Sequence, residues 1–171
     1  MKFRNANFAV LLGLAVLSAA AGQERPPATD PSAVLERLLG EWQMRGDVRG
    51  TPVQYRLAGT RVLQGTFVEL HMTDVARPAK YEARVFIGYD QQGKRVIAHW
   101  MDSFGAAYSI PHGVGAIEGN QIQFEIPYAD GPFRDTFVYD RFRDVWTLNI
   151  ESGDGKGSWR HFACYTITKR P

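Results

Sequence analysis

Cysteine is nearly absent from this 171-residue chain, in which Cys164 stands alone. One cysteine excludes an intramolecular disulfide framework, so stability has to come from packing. The apolar setting Phe162-Ala163-Cys164-Tyr165 marks the thiol as a small core group rather than a nucleophile. Excess charge is missing too. The chain carries 20 basic and 18 acidic residues, and the surplus, Lys2 and Arg4, falls in the first 21 positions, leaving 18 of each sign beyond them. A balanced domain without a basic stripe is not built to hold nucleic acid. The four histidines, His71, His99, His112 and His161, include no two at alternate positions of one strand, so metal-ligand spacing is absent. Gly153-Asp154-Gly155-Lys156-Gly157-Ser158 lacks the four-residue gap and the strand-to-helix context of a phosphate loop, and reads as a hairpin turn.

Long hydrophobic runs are equally scarce. The one candidate, Phe8 to Leu17, is too short for a bilayer span. Preceded by Lys2 and Arg4 and followed by Ala19-Ala20-Ala21, it reads as a secretory signal over residues 1–21. The expectation is an exported chain, periplasmic or secreted, without a membrane span and with a mature form beginning near Gly22. Residues 22–30, which include Pro26-Pro27, read as a flexible leader. Asp30 then supplies an N-cap acceptor, Pro31 a first helical position, and Val34, Leu35, Leu38 and Leu39 an apolar stripe that Gly40 ends. This predicts one short helix over 31–39.

Helical periodicity is missing after Gly40. What is there instead is alternation, broken by Gly, Pro, Asn and Asp at strand-like spacing. It predicts ten strands, at 41–49, 52–58, 61–73, 80–89, 94–103, 107–117, 121–128, 133–140, 145–152 and 158–169. Short turns between them make an all-β meander. Closing it into an antiparallel up-and-down barrel of about ten strands, over residues 31–170, removes its exposed edges. The interior of such a barrel has room for side chains alone or for one small ligand. Gly40-Glu41-Trp42 opens the first strand, with Gly40 bending the backbone and Trp42 laying an indole across the mouth of the closing sheet.

Register decides which side chains face inward, because a slip of one residue exchanges the two faces. A loop at 90–93 places Tyr89 opposite Lys94, Ile87 opposite Val96, Val85 opposite Ala98, Ala83 opposite Trp100 and Tyr81 opposite Asp102. A turn over 49–52 sets Val48 against Val53, Gly46 against Tyr55 and Met44 against Leu57. The same parity puts Val62, Val68, Leu70 and Met72 inside, and leaves Glu69 and His71 in an outer row facing Arg84 and Glu82. Farther on, Tyr108, Ile110, His112, Val114, Ile122, Phe124, Ile126, Phe133, Asp135, Phe137, Tyr139, Trp146, Leu148 and Ile150 are expected inside. For the last strand, Trp159/His161/Ala163/Tyr165 and Arg160/Phe162/Cys164 are equally good inner faces, and both stay open.

Leu39-Gly40-Glu41-Trp42, then Gly88-Tyr89-Asp90, then Trp100-Met101-Asp102-Ser103 resemble the bacterial domain-of-unknown-function family numbered 1579, within the lipocalin-like, calycin-type barrels. The resemblance runs from about residue 33 to 169. It implies a closed barrel with a cavity and, by analogy, a small apolar ligand. A weaker resemblance is to nitrobindin-type haem barrels, whose first strand carries Gly-x-Trp-x-Gly-x-Gly and whose iron is held by a late histidine. Gly40, Trp42 and Gly46 match, Met44 replaces a glycine, and His161 is the late histidine.

Asp102 is the most informative polar candidate. It is expected to point inward beside Tyr81 and Trp100, where an unpaired carboxylate needs a partner or a raised pKa; the alternative is a rim position in water. Asp102, His112 and Asp135 form a candidate proton-transfer set. The inward aromatics suit a ligand cavity, with Tyr55, Tyr81, Tyr89, Trp100, Tyr108 and Trp146, together with Asp102 and His112, as candidate ligand contacts. Gly46, Ala83, Ala98 and Gly113 among them would leave space. The resulting expectation is an exported, non-enzymatic protein holding a small, largely apolar molecule, with no cofactor. Acid/base catalysis in the cavity, haem binding and a filled structural barrel are the alternatives.

Overall fold

The structure, a computed structural model, describes residues 30–170. The signal read at 1–21 and the leader up to residue 29 lie outside the described residues. Ten antiparallel strands follow one short helix, α1 (Pro31–Glu36): β1 (Gly40–Val48), β2 (Thr51–Val62), β3 (Phe67–Asp74), β4 (Glu82–Asp90), β5 (Arg95–Asp102), β6 (Gly113–Glu118), β7 (Gln121–Ile126), β8 (Phe133–Asp140), β9 (Val145–Gly153) and β10 (Trp159–Lys169). Every strand pairs with its neighbours in the chain, and β1 pairs with β10 to close the barrel. Closure leaves no edge strand to template aggregation.

The helix ends earlier than the sequence suggests. After Glu36 the chain tightens, with N–H groups of Arg37, Leu38 and Leu39 donating three residues back to Val34, Leu35 and Glu36. That tight turn aims the Arg37 and Leu38 carbonyls down at the barrel. The Trp42 indole N–H donates to Leu38 O (2.9 Å) and the Trp146 indole N–H to Arg37 O (3.1 Å). A Cβ at Gly59 would run into the Leu38 carbonyl, so glycine is what lets β2 pass this close. Val34, Leu35 and Leu38 are buried, and α1 packs against β4 and β6. The helix therefore stoppers one end, with Trp42 beneath it as expected and Lys169 Nζ 4.1 Å from the Trp42 ring centre.

Alternation accounts for the core. Val68, Leu70 and Met72 on β3, Ala83, Val85 and Ile87 on β4, Phe137 and Tyr139 on β8, and Trp146, Leu148 and Ile150 on β9 are all buried. Glu69 and His71 lie outside, Glu69 in an ion pair with Arg84 and His71 Nε2 hydrogen-bonded with Glu82 Oε1 at 2.6 Å. These faces are as expected, but Val62, expected inside, pairs with Phe67 on the opposite parity to Val68 and Leu70 and is not buried in the core, and two hairpins pair two residues further along. Arg49-Gly50 makes a two-residue turn with both φ values positive (51° and 78°), so Met44 faces Tyr55 and Trp42 faces Leu57. The β4–β5 loop is residues 91–94 rather than 90–93, so Tyr89 faces Val96 and Ala83 faces Asp102. Asp90 caps it by accepting from the N–H groups of Gln92 and Gly93.

One strand is much shorter than expected. Residues 107–112 do not continue β6 inward; Ala106–Ser109 form a 3-10 turn after Gly105 (φ 106°), and Pro111 has no N–H to donate. Tyr108, Ile110, His112 and Val114 are consequently exposed, and Gly113 rather than Val114 faces the interior. In β10 the register shifts between His161 and Ala163. Ala163, Tyr165 and Ile167 face in, while His161 is exposed and pairs with Asp47 at 2.8 Å. The bulge turns Phe162 toward the core side as well, where its ring meets Phe133 edge-on at 4.9 Å.

The interior is filled. Its central void, among Met44, Leu57, Leu70, Trp100 and Phe137, measures about 10 Å³, room for roughly one water. The small residues do not leave a gap: a Cβ on Gly113 would sit 2.8 Å from the Phe124 ring, which occupies that space. A cleft of about 190 Å³ lies outside the barrel proper, at the helix end, between Leu35, Arg61, Phe67 and Tyr89. Among the described residues no helix is long and apolar enough to cross a membrane.

Candidate functional site at the open end of the barrel

Among the described residues no α-helix covers the end opposite α1, and Tyr81, Trp100, Asp102 and the buried Asp135 lie toward it. Tyr81, in the loop leading into β4, donates its hydroxyl hydrogen to Asp102 Oδ2 at the end of β5 (3.1 Å). The Trp100 indole N–H donates in turn to the Tyr81 oxygen (3.2 Å), and the Phe104 N–H donates to Asp102 Oδ1 (2.9 Å). Asp102 thus sits at the rim, half-buried, with both oxygens engaged. Burial, and then the Asp102 charge, push the Tyr81 hydroxyl far above its ordinary pKa, so it acts as a donor across the physiological range.

Aromatic rings line this end continuously. Tyr165 meets Tyr55 (5.9 Å between centroids), Tyr55 meets Tyr81 (5.6 Å), Tyr81 meets Phe104 (5.6 Å) and Phe104 meets Tyr108 (6.5 Å). Across the mouth, Tyr128 packs edge-on against Phe133 at 5.5 Å. Phe104 and Ile110, in the loop between β5 and β6, are 72% and 82% exposed, an apolar flap beside the mouth.

Asp135 lies one inward position below Phe133 on β8, opposite Phe124 on β7 and Ile150 on β9. It is the one charged or polar residue among the buried side chains described, at 2% exposure, and its Oδ1 has no hydrogen-bond partner. Such an orphaned buried group costs about 1–3 kcal/mol. Burial alone pushes its carboxyl up to about 8, and no neighbouring cation counteracts it. Tyr128 and Tyr165 stand close enough for its charge to act on their hydroxyls; burial is the larger cause in each, raising Tyr128 to about 12 and Tyr165 further.

The sequence-derived candidates therefore divide. Tyr55, Tyr81, Trp100, Asp102 and Asp135 come together at the open end. Tyr89 and Trp146 belong to the helix end, Tyr89 bordering the outer cleft and Trp146 under α1. Tyr108 lies in the exposed flap. His112 is outside against His99 (ring centroids 5.7 Å), so the expected set of Asp102, His112 and Asp135 does not assemble. Reading the chain did not name Tyr128, which lies in a loop, and left Tyr165 open with the rest of the last strand because of the β10 bulge. His161, the haem-type histidine, faces outward; the residues present do not offer an inward axial histidine, since His71, His99 and His112 also lie outside. Among the described residues no three His, Cys, Asp or Glu side chains cluster as metal ligands.

A closed ten-strand meander with one end stoppered by a helix and polar groups at the other is a lipocalin-like β-barrel. The crystal structure of Rv2717c from M. tuberculosis has a similar fold, with a TM-score of 0.59 at 16% identity over 83% of this chain and 99% of that one. The chain belongs to the DUF1579 family, described as a protein of unknown function, whose family model matches residues 28–163. No curated protein matches it.

Proposed function

We propose that this is an exported binding protein, periplasmic or secreted, that takes a small and largely apolar molecule at the open end of its barrel. The observation that carries the reading is the orphaned Asp135 Oδ1 inside a ring of tyrosines, a polar atom placed where a ligand could satisfy it. The central void of about 10 Å³ means that the ligand does not drop into a preformed chamber. It displaces rings at the mouth, with the Phe104–Tyr108 flap the most exposed of them. Export rests on Lys2, Arg4, the apolar run and the alanines at 19–21.

Native mass spectrometry of the protein purified from its own cells tests both parts. The expected result is a chain beginning near Gly22 with a small-molecule adduct that is lost on denaturation. A chain that retains Met1 and partitions with the cytoplasm would overturn export. An adduct that survives Asp135→Leu and Tyr81→Phe unchanged would overturn the site.

A further inference from the structure

The chemistry at the open end restricts what the ligand carries. Asp135 has Phe124 and Ile126 facing the interior from β7 and Ile150 from β9, none of them titratable. The titratable groups on this side are Tyr165 from β10, Tyr128 from the β7–β8 loop, Tyr55 from β2, Tyr81 from the loop before β4 and, acting through these tyrosines, Asp102 from β5, Asp47 from β1 and Asp74 from β3. All of these are hydroxyls or carboxyls, with no cation among the groups acting on Asp135. At neutral pH the buried carboxyl is therefore protonated, and a protonated carboxyl can donate. The tyrosines beside it are likewise held in their neutral, donating form.

The Tyr165 hydroxyl already donates to Tyr55, which leaves Asp135 and Tyr128 as two neutral donors in a ring-lined setting, and these fit one kind of ligand atom. An anion would be buried without a countercharge, and a cation would first have to strip the proton from Asp135, each at a steep desolvation cost. An uncharged acceptor incurs neither cost. We propose that Asp135 and Tyr128, with Tyr165 beside them, form a donor-lined subsite for the carbonyl oxygen of a small apolar ligand, such as a ketone, aldehyde or ester. This rests on the binding reading above and assigns the ligand's polar group. It makes the carboxyl's proton part of the binding site, so affinity for a carbonyl ligand falls as pH rises through the titration of Asp135, whose carboxyl burial holds up to about 8.

The test compares acetophenone with α-methylstyrene, which replaces C=O by C=CH2 and keeps the shape. Both are titrated by NMR into the wild type carrying labelled tyrosine rings, at about pH 6 and about pH 9.5, below and above the expected titration. At the lower pH the ketone is expected to bind roughly 3- to 10-fold more tightly, the ordinary worth of one hydrogen bond, and at the higher pH most of that preference is lost. Asp135→Asn, which retains a donor, keeps a preference that no longer depends on pH, and Asp135→Leu loses it at both. Equal affinities at the lower pH, with shifts at Tyr128 and Tyr165, overturn the carbonyl assignment and leave the binding reading standing. Shifts confined to Tyr89 at the helix-end cleft, or no shift with either probe, overturn both.

Discussion

Replacing Asp135 by Asn removes a titration and little else, which makes the variant a direct probe of the buried carboxyl. Its pKa is raised in the folded state, so between the unfolded value of 3.8 and the folded value of about 8 the native protein holds a proton that the unfolded chain has released. The sign follows. The stabilising effect of that proton is full below about 4 and is lost as pH climbs toward 8, at up to about 1.4 kcal/mol per pH unit and up to about 6 kcal/mol across the window. A typical domain has roughly 5–15 kcal/mol in total, so the effect is large enough to measure. Asp47, Asp90 and Asp154 have carboxyls held below the usual range by hydrogen bonds. Their contributions are present above the ordinary carboxylate pKa and lost as pH falls, and they cancel in the difference between variant and wild type. Urea unfolding of both proteins from pH 4.5 to 8.5 is expected to show the wild type losing stability relative to Asp135→Asn as pH rises. A difference that stays constant with pH would falsify the protonated, unpartnered carboxyl on which the open-end site depends.

Trp42→Ala is expected to lose about 3–5 kcal/mol by leaving a cavity beneath α1, read as a lower denaturation midpoint; an unchanged midpoint refutes its structural role. Gly59→Ala puts a methyl group where the Leu38 carbonyl sits, and should loosen α1, seen as faster hydrogen exchange in residues 31–39 than in the wild type. Asp102→Asn keeps shape and hydrogen-bonding capacity at the rim and should change ligand affinity more than stability. Glu69→Gln, on the outer row against Arg84, should change stability by no more than about 0.5 kcal/mol; a larger loss would mean that this exposed pair has been misjudged.

Face assignment was legible in the chain wherever strands alternate cleanly, and it survived an error in turn length. Both mispaired hairpins slipped by two residues, and a slip of two returns every side chain to the face it left, so Met44, Tyr55, Val85 and Trp100 remain inside. The segment 107–112 failed for the opposite reason. Tyr108, Ile110 and His112 alternate like a strand, but Pro111 interrupts the ladder and Gly105 turns the chain away from β5, so the pattern describes a flap. The undecided face of the last strand has a physical origin in the bulge after His161, which changes parity midway and gives each alternative half of the answer. Asp135 was legible as an inward residue from its place between Phe133 and Phe137. Its lack of a partner was not, because that depends on what β7, β9 and β10 bring to it. Cavity size was illegible for a similar reason: glycine and alanine mark where a wall is thin, and whether a neighbouring ring such as Phe124 fills the gap is settled only by packing.

Closure through β1 and β10 ties the order of synthesis to the moment of folding. The ladder from Trp42↔Lys169 to Val48↔Ala163 joins the two ends of the domain, so the eight neighbour pairings among β1–β9 can form as the chain emerges but the ring cannot close until its last strand is free. Pairing across so long a separation is slow to form. A chain truncated before β10 would present β1 and β9 as two open edges, a template for aggregation rather than a slightly smaller barrel. The step that traps the chain in its folded state therefore waits for β10, whichever strands have paired before it.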